Sequence, residues 1–321
     1  VRLRSVDVAC ALGIDALVGD PSDRFHPVAW FGRLAAGVEQ AAWRDARSRG
    51  AAVAASLVAL AIEVGALLDE LPGGGVLAAW AALGSRTLWR RALEVANALE
   101  EADVERARDQ LEWLVGRERV GLGASEIARA AIESVAENTA DAILGVIVWH
   151  VAFGAAGSLA VRAANTLDAM FGHRSVRYLR FGWASARLDD LLIWPAVRLA
   201  VLLAPRRERR LLRAAREHPS PNAGVMEALA AAAVGVRLGG ENRYGDRVVR
   251  LPVLEGGHAP GATEIRTAVR WSRGVTIRAL SFVGAVELMA WLIERRRGGI
   301  RGPLARLADR PRPCETAHQR P

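Results

Sequence analysis

Apolar runs separated by short Arg-dense segments dominate this chain, and nearly every run reads as helix. Val6–Val18, Ala51–Leu68, Val76–Thr87, Ala142–Val161, Leu191–Ala204 and Val275–Ile293 are the candidate spans or buried helices. Among them Ala142–Val161 is 20 residues without Asp, Glu, Arg or Lys, the length a bilayer core requires. The others carry Glu63, Arg198, or Arg278 with Glu287, or are short, and such groups inside spans usually face a bundle interior. Between Arg86 and Val120 the pattern changes. Leu88, Ala92, Ala96 and Leu99, then Val104, Ala107, Leu111 and Leu114, recur at helical spacing between charges, which predicts a helical hairpin in water turning near Glu100–Asp103. The fold expected is all-α: a multi-pass membrane helical bundle with a cytoplasmic helical hairpin (86–120) and polar loops. Residues 1–298 form one domain, and 299–321 read as a disordered Arg/Pro-rich tail.

Composition sharpens this picture. A hydrophobic content of 51% with 24% charged residues suits a polytopic protein with a substantial aqueous part. All 43 basic residues are Arg, so P-loop lysines, pyridoxal-phosphate Schiff bases and lysine nucleophiles are excluded. The net charge of +8 sits in short clusters beside apolar runs, as on cytoplasmic flanks, and no nucleic-acid-binding motif accompanies it. Two cysteines, Cys10 and Cys314, leave no disulfide framework. Most tryptophans, Trp183 included, fall near proposed span ends and read as interfacial anchors.

Candidate chemistry gathers in polar clusters set in apolar surroundings. On a helix, Glu133, Glu137 and Asp141 lie at i, i+4 and i+8, so they share one stripe. Such a stripe can hold Mg²⁺, a hard cation that takes oxygen ligands and shares them with phosphates. Its bland alternative is pairing with Arg129 and Arg162. Asn138 lies beside the stripe. Asn165 and Asp168 sit at i, i+3, as a second polar pair or an interhelical hydrogen-bond seam. Arg187 with Asp189 and Asp190 follows Phe181-Gly-Trp-Ala-Ser and offers a guanidinium fork for phosphate, or a salt-bridged turn. The prolines of His218-Pro-Ser-Pro-Asn222 hold a His and an Asn rigidly, and Gly239–Gly245 reads as a loop presenting Arg243 and Tyr244. Asp20 and His26 tip a turn after the first apolar run.

Taken in order, Gly19-Asp-Pro, His26-Pro-Val, Glu133-Ser-Val-Ala-Glu-Asn-Thr-Ala-Asp141, Asn165-Thr-Leu-Asp168, Phe181-Gly-Trp-Ala-Ser-Ala-Arg-Leu-Asp-Asp190 and His218-Pro-Ser-Pro-Asn-Ala-Gly224 closely resemble the CobD/CbiB family. The resemblance runs from about residue 7 to about residue 293. The chain departs from it at Ala140 and Ala142, where Ser and Gly are usual, and at Val225, where an aromatic is common. The resemblance implies a membrane-bound adenosylcobinamide-phosphate synthase. Such an enzyme joins a propionate carboxylate of adenosylcobyric acid, a corrinoid, to the amine of aminopropanol or its phosphate, with ATP as co-substrate and Mg²⁺ as cofactor. On that reading Glu133, Glu137 and Asp141 hold the metal. Asp189, Asp190 and His218 serve catalysis, and Asp20, His26, Asn138, Asn165, Asp168, Arg187, Asn222 and Tyr244 bind substrates. The partners expected are these small molecules, the lipid bilayer and other enzymes of the pathway; nucleic acid is not. The location expected is the cell membrane, with the active site on the cytoplasmic side. The alternative is a non-catalytic scaffold or sensor of the same superfamily, which would have no need of all the polar clusters together. A transporter is disfavoured because the carboxylates fall at span ends and no inverted repeat is visible.

Overall fold

The computed structural model of the protein describes residues 3–21, 24–173, 175–244 and 247–308, with the side chains of 297–308 left aside. Its helices are α1 (Arg4–Val18), α2 (Pro27–Ala42), α3 (Arg47–Asp69), α4 (Gly74–Ala82), α5 (Ser85–Glu100), α6 (Val104–Leu111), α7 (Ala124–Thr139), α8 (Gly145–Leu167), α9 (Trp183–Leu203), α10 (Arg209–Ala214), α11 (Ala223–Val234) and α12 (Ala262–Ala308). Between α11 and α12 the antiparallel strands β1 (Arg237–Tyr244) and β2 (Arg247–Glu255) form a two-stranded sheet. The fold is therefore a mostly α-helical bundle, as expected, with one strand pair that the pattern did not announce. The backbone of α12 continues past the 298 boundary to Ala308. The rest of the stretch read as a tail, 309–321, lies outside the described residues.

The core is built on small residues. Ile127, Ile132, Ile143, Leu144 and Ile147 are fully buried, and alanines such as Ala130, Ala131, Ala136 and Ala140 fill the gaps between helices. Where α3 crosses α8, a Cβ on Gly65 would overlap the Ala156 backbone, so the two helices approach as closely as backbones allow. A second apolar cluster joins Val53, Leu57, Leu167, Phe171 and Phe181.

α8 is the element that shapes the site, because it does not run straight. Gly154 adopts φ 69 and ψ −150, a conformation essentially confined to glycine, and the helix axis reverses there. His150 Nδ1 then lies 3.1 Å from Ser158 Oγ, and a Cβ on Gly145 would sit 3.3 Å from Val161 Cγ2. In a straight helix those pairs would be roughly 12 and 24 Å apart along the axis. Asp69, at the end of α3, receives the Ala155 N–H on both carboxylate oxygens at 3.0 Å and so caps the returning arm. The 142–161 run is apolar and long, as read from sequence, yet its halves lie antiparallel. Each arm carries a widened π turn at its base, Ala140–Leu144 and Asp168–Gly172. Such turns are frequent at functional sites, since the extra residue re-aims a side chain.

Among the described residues three stretches are long and apolar enough to cross a membrane, Arg47–Asp69, Ala124–Gly172 and Ala262–Arg296, and the second contains the reversal. Leu60, Ile62, Val64 and Leu67 on α3 and Ile277, Phe282, Val286, Met289 and Leu292 on α12 are exposed, as lipid-facing side chains would be. The Val76–Thr87 run is not one helix: α4 ends at Ala82 and α5 starts at Ser85. α5 and α6 form the hairpin read at 86–120. Asp103 Oδ1 accepts the Arg106 N–H at 3.0 Å to start α6, and Leu88, Ala92, Val95, Ala107 and Leu111 are buried.

Candidate active site

A cavity of 1020 Å³ opens where the two arms of the α8 hairpin meet the start of α9. The hairpin supplies Glu137, Asp141 and Asp168, which are far apart in sequence and are brought to one level by the reversal at Gly154. α9 adds Trp183, Arg187, Asp189 and Asp190, α3 adds Arg47 and Ser48 from its first turn, and the 219–223 segment adds Ser220 and Asn222. The cavity thus has an acidic floor and a rim of arginine and aromatic side chains.

The proline-fixed turn serves the cavity through Asp190. Ser220 Oγ donates to Asp190 Oδ1 at 3.2 Å, Asn222 Nδ2 donates to the Asp190 carbonyl at 2.7 Å, and Arg187 reaches Asp190 Oδ2 at 3.4 Å. Burial raises the Asp190 carboxyl above its ordinary value, opposed by the Ser220 hydrogen bond and by Arg187 and His218. Asp189, nearly enclosed, is pushed up to about 8 by burial and by the Asp168 carboxylate, while a hydrogen bond from Asn165 opposes the rise. Asn165 thus enters the site by holding Asp189.

Seven of the residues picked out in the sequence line this cavity: Glu137, Asp141, Asp168, Arg187, Asp189, Asp190 and Asn222. Others do not. Glu133 belongs to the same stripe but is buried behind the floor, where Arg117 lies 2.8 Å and Arg129 3.7 Å away and the Gly239 N–H donates to Oε1 at 2.8 Å. In the fold its oxygens are engaged by that cluster, apart from the carboxylates that line the cavity. His218 is likewise not among the residues lining the cavity. Its Nδ1 accepts the Ser220 N–H at 3.0 Å, its Nε2 faces Glu227 Oε1 at 3.9 Å, and burial pushes the imidazole below its ordinary value. It shapes the turn that holds Asp190, and its charge is felt by that carboxylate.

Tyr244 ends β1 and borders a separate 660 Å³ depression with Arg117 and Arg119. His26 caps α2 by accepting the Val28 N–H at 3.1 Å, with Asp20 4.0 Å from its other nitrogen. Asp20 is linked electrostatically to the floor through Arg162, which interacts with both Asp20 and Asp141. Asn138 donates back to the Ser134 carbonyl at 3.0 Å on its own helix. Sequence reasoning missed Arg47, Ser48 and Tyr178, and took Trp183 for an anchor. In the fold the Arg47 guanidinium lies 5.3 Å from the centre of the Trp183 ring at the cavity rim. Trp183 stands one helical turn before Arg187, a spacing that could have signalled a shared face.

Among the described residues no three His, Cys, Asp or Glu side chains close on one point as a preformed metal site. The donor set nonetheless suits a hard cation: the floor is carboxylate oxygen, and the buried Asp189 Oδ1 has no hydrogen-bond partner.

The model of the CobD/Cbib protein family matches residues 8–272. The chain is 44% identical over 313 residues to the cobalamin biosynthesis protein CobD of Mycobacterium tuberculosis (strain ATCC 25618 / H37Rv), covering 92% of this chain and 98% of the relative. It is 42% identical to that of Stutzerimonas stutzeri (strain A1501), covering 87% of this chain and 97% of the relative. It is 39% identical to that of Chromobacterium violaceum, covering 87% and 96% respectively. No solved structure matches the chain. With the family model spanning most of the sequence and relatives aligned nearly end to end, the chain belongs to the CobD/CbiB family.

Proposed function

We propose that this protein works in cobalamin biosynthesis as an ATP-dependent ligase, joining the amine of aminopropanol or its phosphate to a propionate carboxylate of adenosylcobyric acid. The role in cobalamin biosynthesis follows from the family and from the names its relatives carry. The observation that supports the ligase chemistry is the cavity itself. Glu137, Asp141 and Asp168 face Arg47 and Arg187 across a single space. An acidic floor and a guanidinium rim are what a carboxylate-activating reaction requires. A carboxylate is a poor acyl donor, so it must first be activated; in this reading ATP transfers its γ-phosphoryl group to the propionate, releasing ADP, and the amine then displaces phosphate from the acyl phosphate and loses a proton. Phosphoryl transfer is chiefly positioning and charge neutralisation.

Within this reading Glu137, Asp141 and Asp168 would hold Mg²⁺, which supplies charge neutralisation on the phosphates when bound. Arg187 and Arg47 bind phosphate or carboxylate oxygens, since the guanidinium fork matches both and the chain has no lysine to do so. The Ser220 and Asn222 contacts keep Asp190 and the first turn of α9 fixed during the reaction. The macrocycle stays at the mouth, against Trp183 and Tyr178, with only the reacting arm inside. Because the cavity sits at the base of the hairpin beside Arg-rich segments, it opens on the cytoplasmic face, and the exposed apolar faces of α3 and α12 meet lipid.

The test is mass spectrometry of a reaction containing the detergent-purified protein, adenosylcobyric acid, aminopropanol phosphate, ATP and Mg²⁺. A product heavier by the amine less water, absent without ATP or Mg²⁺, is the expected result. No adduct with either free or phosphorylated aminopropanol, from protein shown to be folded, would overturn the ligase reading in favour of a scaffold.

A further inference from the structure

Among the described residues every histidine but one has a ring nitrogen committed. His26 Nδ1 accepts the Val28 N–H, His150 Nδ1 meets Ser158 Oγ, His218 Nδ1 accepts the Ser220 N–H, and His258 Nε2 lies 3.3 Å from Glu264 Oε1. His173 is the exception. It is exposed and lines the cavity, and among the described residues neither of its ring nitrogens has a hydrogen bond or an ion pair. Its ring meets that of Tyr178, with centroids 4.9 Å apart and planes at 83°. The backbone puts it at the mouth. His173 follows the π turn Asp168–Gly172, and a Cβ on Gly172 would collide with Asp168 Oδ1, so the turn closes tightly against the acidic floor before the chain reaches the rim. Tyr178 and the exposed Leu179 and Trp183 continue that rim.

Imidazole is the commonest protein ligand of transition ions. A bare ion needs several donors, and among the described residues no three His, Cys, Asp or Glu side chains form a cage. A metal already held in the plane of its own macrocycle needs a single donor from the protein. We propose that His173 is the axial ligand to the cobalt of the corrinoid substrate: a Co–N bond to the imidazole forms on the lower face as the bond to a coordinated water breaks. Adenosylcobyric acid carries no nucleotide base to fill that position itself. The proposal rests on the reading of the substrate as a corrinoid and adds to it how the macrocycle is held. A corrin plane lying parallel to the Tyr178 ring would meet the imidazole nearly upright, the attitude an axial nitrogen donor needs. Asp168 stands five residues before His173, so one short segment grips the metal at the rim and faces the reacting arm at the floor.

The test is spectroscopic, on the full-length protein in detergent, with two probes: adenosylcobyric acid followed by absorbance, and cobyric acid chemically reduced to Co(II) followed by electron paramagnetic resonance. In the wild type the long-wavelength corrinoid band is expected to shift on binding, and each resolved cobalt line of the Co(II) probe is expected to split into a triplet from one nitrogen nucleus. Histidine labelled with heavy nitrogen should turn the triplet into a doublet. His173→Ala and His173→Gln are expected to lose the shift and the splitting while keeping the wild-type Tm, since the side chain is exposed, and free imidazole should restore the shift to His173→Ala. Bound corrinoid without the triplet in the wild type, or a triplet that survives in both variants, would overturn the axial ligand; product formed by the same preparation would show that the ligase reading stands without it. A triplet lost in both variants from a wild type that forms no product would uphold His173 as the ligand and overturn the ligase reading. A folded wild type that binds neither corrinoid would overturn both.

Discussion

Replacing Gly154 with Ala should both loosen the fold and disable the cavity. At φ 69 and ψ −150 an L residue is strained, at a cost of about 1–3 kcal/mol. The added Cβ would also lie 2.5 Å from Asp69 Oδ2 and 2.9 Å from Oδ1, so the carboxylate must leave the Ala155 N–H that it caps. Losing a cap costs about 1 kcal/mol, bringing the sum to about 2–4 kcal/mol. For a chain of 321 residues that corresponds to a fall in Tm of about 3–6 °C. The assay is thermal unfolding of the detergent-purified variant beside Gly13→Ala. Gly13 is helical and nothing lies within 4 Å of its missing Cβ, so that control should match or slightly exceed wild type. Because the reversal sets Asp168 level with Asp141, the turnover of Gly154→Ala should fall even at temperatures where it stays folded. Wild-type Tm and turnover in Gly154→Ala would refute the claim that this reversal organises the site.

Three further outcomes follow from the same geometry. Glu137→Gln and Asp141→Asn should abolish turnover with Tm nearly unchanged, whereas Glu133→Gln should lower Tm and leave the Mg²⁺ dependence of any residual activity as in wild type; equal effects from all three would put Glu133 in the metal set with the other two. Arg117→Leu leaves Glu133, whose side chain is 7% exposed, without its 2.8 Å partner, and should cost about 3–5 kcal/mol, read as lost Tm or lost folded yield. The third concerns pH. Asp189 is raised to about 8, so between its unfolded value near 3.8 and pH 8 the folded state holds the extra proton, and stability from this group declines as pH rises through that window. Asp189→Asn should therefore be more stable than wild type at pH 8 and indistinguishable near pH 4; parallel stability curves for the two proteins would contradict the burial of that carboxylate.

Local motifs were legible in the sequence because their chemistry is local. The Asp189–Asp190 pair, the proline-fixed turn and the stripe through Glu137 and Asp141 each survive as units, and their convergence is what the family resemblance implied. What the local pattern did not locate is long-range. Glu133 looked equivalent to its neighbours on the stripe, yet its environment is set by Arg117 and by the Gly239 N–H of β1, neither of which helical periodicity can locate. Arg129, named as a bland partner for the stripe, does reach Glu133, while Arg162 instead serves Asp141 and Asp20. Tyr244 looked like a loop residue because Leu238-Gly-Gly-Glu-Asn has no apolar alternation. Pairing with Arg247–Leu254 makes it a strand regardless of propensity. Arg47 joins the rim from a segment remote in sequence, so no local pattern could place it there.

Gly154 has one more consequence, for access. Asp141 and Asp168 stand thirteen residues before and fourteen after it, so each arm measures about 20 Å from tip to carboxylate. A bilayer core is about 30 Å thick, and arms standing along its normal would dip into it and return without reaching the far face. The hairpin then works as a ruler. It would suspend the acidic floor at one membrane surface, so that on the ligase reading proposed above the nucleotide, the amine and the macrocycle would all arrive from the same compartment without crossing lipid. A ruler also has a fixed length: inserting or deleting one residue in either arm would swing its carboxylate by about 100° out of the cavity, while the apolar pattern of the sequence would look undisturbed.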